Sequence, residues 1–147
     1  MDQYNKERRQ VFRVLISVSD KEKIVDFARA LDSLEIEIVS TGGTYQTISE
    51  KGMDVIPVEK VTNFPEMMGG RVKTLHPLIF GGILARDSDS EDAEKQGIGF
   101  FDMVVCNLYP FREAVSKGVD SESLIEQIDI GGSSLLRASA KNHARVT

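Results

Sequence analysis

The chain has 147 residues, 41% of them hydrophobic and 28% charged, which suits a single domain able to bury a core without metal or disulfide support. Its one cysteine, Cys106, excludes an internal disulfide and a cysteine-built zinc site and points to the reducing cytoplasm. A formal net charge of -5 argues against non-specific binding to nucleic acid, and no stretch has the length of a membrane span or a signal-peptide core.

Residues 1–10 are polar and predict a flexible segment ahead of a domain over 11–147. Val11 to Val18 reads as a buried strand. Ser19 and Glu22 then have capping-box spacing, and Ile24, Phe27, Ala28, Leu31 and Leu34 recur at helical intervals, so a helix is predicted from about Asp20 to Leu34. Ile36, Ile38 and Val39 give a second strand, Thr41 to Thr44 a Gly-Gly turn, Tyr45 to Lys51 a short helix, and Val55 to Val58 a third strand. From Glu59 to Leu84 no period is clean, which predicts a long functional loop with a short strand near Leu78 to Phe80. Residues 86–96 form a charged excursion, Phe101 to Leu108 a further strand, and Phe111 to Ser116, Ser121 to Ile128 and Ser133 to Lys141 three helices. This alternation predicts an open α/β sandwich with a mainly parallel sheet, because parallel strands need crossover helices. Val146 and Thr147 read as the start of another strand, which suggests a domain truncated at its C-terminus.

The chemistry concentrates in a few segments. Gly69 to Pro77 packs two glycines, Arg71, Lys73 and His76 into nine residues and has the make-up of an anion-binding loop, or of a solvated charged one. Ser19-Asp20-Lys21, Thr41-Gly42-Gly43-Thr44 and Ile130-Gly131-Gly132-Ser133 each precede a helix, where free amides and the helix dipole favour phosphate. Any one of these turns alone is more often a tight connection, but together they fall on the carboxyl edge of the sheet, where α/β folds bind ligands. Residues 87–94 carry five acids and no cation, whereas Arg137, Lys141 and Arg145 near the C-terminus face Asp129 alone, so a small anionic ligand is the expected partner. Tyr109 equally reads as a core-edge aromatic, Asn107 as a turn residue, Asp129 as a helix N-cap and Lys141 as a dipole partner at a helix end.

Four long motifs, RVKTLHP (71 to 77), CNLYPF (106 to 111), IDIGG (128 to 132) and AKNHARVT (140 to 147), with STGGT (40 to 44) and SVSDK (17 to 21), resemble the IMP cyclohydrolase family. The resemblance implies a methylglyoxal-synthase-like fold, a three-layer α/β/α sandwich, and dehydrative closure of a formamidoimidazole carboxamide ribonucleotide to IMP, without metal or organic cofactor. It implies a cytoplasmic homodimer, a purine ribonucleotide as partner, and a transformylase domain in a longer bifunctional enzyme. A nucleotide- or phosphate-binding regulatory module of the same fold is the competing expectation. By the same resemblance Lys73, Tyr109, Asp129 and Lys141 are catalytic. Ser19, Asp20, Lys21, Thr41, Gly42, Gly43, Thr44 and Thr74 are expected to hold the phosphate and ribose, Asn107, Ile130 and Gly131 to lie near the base, and Arg71, a cation beside the lysines, and Cys106 to complete the substrate-binding set. Phe80 stands where many members have histidine, and no role is attached to it.

Overall fold

The computed structural model of the chain describes residues 9–147; the flexible segment expected over residues 1–10 falls, except for Arg9 and Gln10, outside the described residues. Four strands, β1 (Arg13–Ser17), β2 (Glu37–Ser40), β3 (Ile56–Pro57) and β4 (Met103–Cys106), form one sheet in the order β3-β2-β1-β4. Every pairing is parallel, with Leu15 opposite Val39 on one side and Val104 on the other. The helices of the described residues are α1 (Ile24–Asp32), α2 (Gly42–Ser49), α3 (Val58–Thr62), α4 (Pro77–Leu84), α5 (Ser90–Lys95), α6 (Phe111–Ser116), α7 (Ser121–Glu126) and α8 (Ile130–Lys141).

Side chains alternate across a strand, so β1 and β2 feed two cores. Val14, Ile16 and Ile38 meet Ile24, Ala28 and Leu31 of α1 and Ile48 of α2. Leu15 and Val39 point the other way, onto Ile79 and Ile83 of α4, Leu135 and Ala138 of α8, and Phe101. Helices on both faces make the three-layer α/β/α sandwich that the resemblance implies, around the parallel sheet that the strand-helix alternation predicts. Leu15, Ile79, Ile83, Phe101 and Leu135 are fully buried, and each such side chain stabilises the fold by roughly 1.5–3 kcal/mol.

Several elements differ from the sequence reading. The strand expected near Leu78 to Phe80 is instead the middle of α4, a helix apolar all round because it lies between the sheet and its surroundings. Pro77 presets its first turn, and the His76 ring accepts a hydrogen bond from the Leu78 amide at 3.2 Å. Gly82 lets this helix press against the segment before β4: a Cβ there would sit 2.3 Å from the Gly99 carbonyl oxygen. The third strand shrinks to two residues, with Val58 already in α3, and the Thr41 to Thr44 turn is the first turn of α2.

Helix α1 starts at Ile24 rather than Asp20, and the capping box does not form. Lys23, at φ 60°, breaks the chain direction before it, while Asp20 Oδ1 accepts from the Glu22 amide at 2.9 Å. At the other end, Thr147 donates to the Asp102 carbonyl at 3.0 Å and accepts from the Val104 amide at 2.8 Å, the bonding of a parallel neighbour along the outer edge of β4.

Candidate active site

The carboxyl ends of β1, β2 and β4 open onto a cavity of about 530 Å³. Its first wall is fixed from below by buried hydroxyls. Ser40 Oγ donates to the Ile16 carbonyl at 2.8 Å, Thr44 Oγ1 to the Val18 carbonyl at 2.9 Å, and the Ser17 and Thr41 hydroxyls stand 3.1 Å apart. No side chain caps the first amides of α2, whose N-terminus faces the cavity through Thr41, Gly43 and Thr44. The Lys21 ammonium lies over the same turn, 3.7 Å from where a Cβ of Gly43 would be. A cation above open helix-terminal amides is suited to phosphate.

Asn107, just past β4, holds the neighbouring loop with all its polar atoms. Its Oδ1 accepts from the Ser19 amide at 2.6 Å and the Asp20 amide at 3.1 Å, and its Nδ2 donates to the Asp20 carbonyl at 2.9 Å.

The second wall is a tight hairpin. Met67 and Val72 pair antiparallel, and Met68, Gly69 and Gly70 turn the chain at φ of 53°, 63° and 92°. Glycine fits such angles without strain, whereas Met68 adopts one that non-glycine residues rarely take. Past the turn come Arg71, Lys73 and Thr74. The Lys73 ammonium stands 2.8 Å from Glu66 Oε2, with the two side chains only 23% and 36% exposed. Buried Thr74 reaches the start of α8, its hydroxyl 3.2 Å from a would-be Cβ of Gly131.

The third wall is that helix start. Asp129 is the N-cap of α8, its Oδ1 accepting from the Gly132 amide at 2.6 Å, so the capping reading of this residue holds. Gly132 has no room for a side chain, since a Cβ would sit 2.6 Å from Asp129 Oδ2. Tyr109, 47% exposed, and Ile125, Ile128 and Ile130 complete the lining. Across the mouth Arg71 pairs with Glu126 of α7, Nε donating to Oε2 at 3.2 Å. That contact raises the guanidinium pKa and lowers that of the carboxyl.

Most of the expected residues therefore converge, and four do not line the cavity. Asp20 turns back onto its own loop. Gly42 is absent from the lining, and its missing side chain makes space for Lys73, whose ammonium is 2.7 Å from the would-be Cβ. Cys106 is half-buried, its Sγ 3.7 Å from the Gly132 carbonyl oxygen, and its thiol is pushed up from 9.0 to about 11 by burial and then by the Asp129 charge. Lys141 is the fourth. It ends α8, exposed, about 16 Å along the axis from the cavity end of the helix at the usual rise of about 1.5 Å per residue. Glu66 and Glu126 are site residues that the sequence reading missed. The signal available for Glu66 was the Met-Gly-Gly-Arg turn, which marks a hairpin and so sets Glu66 beside Lys73; for Glu126 there was none. Among the described residues no cluster of three or more His, Cys, Asp or Glu is arranged to hold a metal, and no helix is long and apolar enough to cross a membrane.

A family model described as an MGS-like domain matches residues 23–134. The bifunctional purine biosynthesis protein PurH of Paracoccus denitrificans is 56% identical over 138 residues, and that of Deinococcus deserti 53% identical over 136. These matches take in 92% and 91% of this chain but 26% and 27% of the relatives, so the chain spans about a quarter of their length. The crystal structure of ForH aligns with a TM-score of 0.78 at 33% identity, over 93% of this chain and 72% of that one.

Proposed function

We infer the function from one premise: the chain belongs to the MGS-like domain family. The reading is that residues 11–147 form the IMP cyclohydrolase part of a longer purine-biosynthesis enzyme, with the formyl-transferring activity elsewhere in it and a homodimer as the assembly. One observation carries it. Lys73, Tyr109 and Asp129 line the same cavity as the open N-terminus of α2 and Lys21. That arrangement sets a phosphate cradle, with the Lys73 ammonium over the first turn of α2, in one cavity with a phenol and a carboxylate.

Ring closure joins the carboxamide nitrogen to the formyl carbon; the formyl oxygen gains negative charge, is protonated, and leaves as water. A carboxamide is a weak nucleophile, so the protein must fix the two groups together and neutralise the developing charge, effects worth several kcal/mol or more. In this reading the Lys73 ammonium takes the formyl oxygen, and Asp129 Oδ2, left over from capping, accepts the carboxamide N–H. Tyr109 hydrogen-bonds the leaving oxygen. Ile125, Ile128 and Ile130 cover the base and exclude water, and Asn107 acts at one remove by holding the Ser19–Asp20 loop.

A second reading, a nucleotide-binding module of this fold that does not turn substrate over, is favoured by one fact: Lys141 stands outside the cavity. Two measurements separate them. IMP formation from the formylated ribonucleotide supports the enzyme. A rise in melting temperature with IMP but no turnover supports the module, since a ligand of the native state alone stabilises it. Equal shifts from inosine and IMP would refute the phosphate site on which both depend.

A further inference from the structure

We propose that Glu66 is a positioning residue for Lys73, holding its ammonium at one point over the first turn of α2. What Lys73 does there rests on the cyclohydrolase reading; how it is held rests on geometry alone. The hairpin sets the pairing. Met67 donates to the Val72 carbonyl at 3.1 Å and accepts from its amide at 3.4 Å, so Glu66 and Lys73, the next residue out on each arm, are cross-strand neighbours. Their charged ends meet at 2.8 Å on the partly enclosed side of the hairpin.

Two glycines make room for this pair and for nothing larger. A Cβ on Gly42 would lie 2.7 Å from Lys73 Nζ and 3.9 Å from Glu66 Oε2, and one on Gly70 would lie 3.0 Å from Glu66 Oε1 and 3.8 Å from Lys73 Nζ. Both have positive φ, +41° and +92°, so each position disfavours a side chain twice over. Lysine has four side-chain torsions and, without a partner, spreads its charge over many positions. Fixing one position is worth much to a cation that must meet one substrate oxygen and little to stability, because the pair is partly exposed.

The test is Glu66→Gln in the intact protein, which keeps shape and loses charge, beside Glu66→Asp, which keeps charge and loses reach. Misplacement by about 1 Å can cost as much as 100-fold, so Glu66→Gln is expected to lower kcat at least about tenfold with KM within about threefold. Glu66→Asp is expected to recover part of the loss, and melting temperatures to stay within about 3 °C of the parent. In a Lys73→Ala background Glu66→Gln is expected to change kcat less than about twofold, since the residue acts only through Lys73. An undiminished kcat in Glu66→Gln, or the same loss with Lys73 absent, overturns the proposal. If the parent protein makes no IMP, it is the cyclohydrolase reading that fails. The positioning claim is then decided by the crystal structure of Glu66→Gln, in which a Lys73 ammonium still seated over Gly42 would refute it.

Discussion

Asp129 caps α8 and, in the function proposed, also serves the reaction, and substitution can separate the two. Its Oδ1 caps α8 through the Gly132 amide, and the residue also lines the cavity. Asparagine caps helices about as well as aspartate, whereas alanine at an N-cap costs about 1 kcal/mol, within a range of roughly 0.5–2. For a domain of this size that is a fall in melting temperature of roughly 3 °C. Asp129→Asn is therefore expected to melt close to the parent and Asp129→Ala several degrees lower. Turnover behaves differently: both lack the charge that orders the carboxamide N–H, so both are expected to lose IMP formation by about 100-fold or more, the scale of general acid-base groups. A third readout is internal. The Asp129 charge helps push the Cys106 thiol up, so in Asp129→Asn this thiol is expected to react faster with iodoacetamide. Melting curves, IMP formation and alkylation rates on the three proteins decide the matter. Full activity in Asp129→Asn would show that the residue is a helix cap and nothing more, and a melt as low as that of Asp129→Ala would refute the capping argument.

Two further expectations need no substrate. At pH 8 a thiol moved from 9.0 to about 11 holds about 100-fold less thiolate than an ordinary cysteine, so native Cys106 is expected to be alkylated slowly and to gain ordinary reactivity in denaturant; a fast native reaction would contradict the burial described for it. The sign follows for stability too, because a thiol whose folded pKa is raised favours the native state below about pH 9 and stops doing so as pH rises towards 11. Gly82→Ala is expected to destabilise by about 1–3 kcal/mol, since its Cβ would meet the Gly99 carbonyl oxygen at 2.3 Å. Gly81→Ala is the control: its Cβ would meet side chain rather than backbone, Ile98 Cδ1 at 2.9 Å and Cγ2 at 3.3 Å, and is expected to cost less, so equal losses in denaturant unfolding would refute the steric account.

What the sequence made legible is what local patterning determines. β1 and β4 are runs of branched apolar residues, α6 lies where its pattern puts it, and α7 and α8 are within a turn of theirs. The misses share one cause, which is that a distant segment decides the local structure. Helix α4 carries two glycines that weaken a helical signal, and the reason for Gly82 is the close approach of Gly99 and Phe101. The capping box at Ser19 and Glu22 is locally sound, yet Asn107, 88 residues from Ser19, takes that amide instead. The same holds in the site. Arg71, Lys73, Asp129 and the Gly-Gly turn stand in recognisable motifs, whereas Glu126 matters only because it meets Arg71 across 55 residues. Lys141 is the converse case: its motif groups it with the others, while the length of α8 carries it to the far end of the helix.

The walls of the cavity differ in how firmly they are held, and the difference matches the division of labour proposed for them. The phosphate side grows directly from β1 and β2, and its Thr41 and Thr44 are 5% and 3% exposed, with hydroxyls bonded into the strand ends. Displacing them means breaking core contacts, so this side opens only at a cost near that of unfolding. The opposite side, α7, fully buries no side chain, and its Glu126 reaches the hairpin through an exposed ion pair to Arg71. Such a pair contributes little to stability and weakens with salt. A nucleotide must enter a site that then excludes water from the reacting carboxamide, and those demands conflict in a uniformly rigid cavity. A wall fixed by the core can hold the phosphate in register while a lightly held wall gives way to admit the base. The firm attachment therefore belongs where the anion binds, and the weak one at the mouth, where Arg71 already carries the charge that an entering anion would meet.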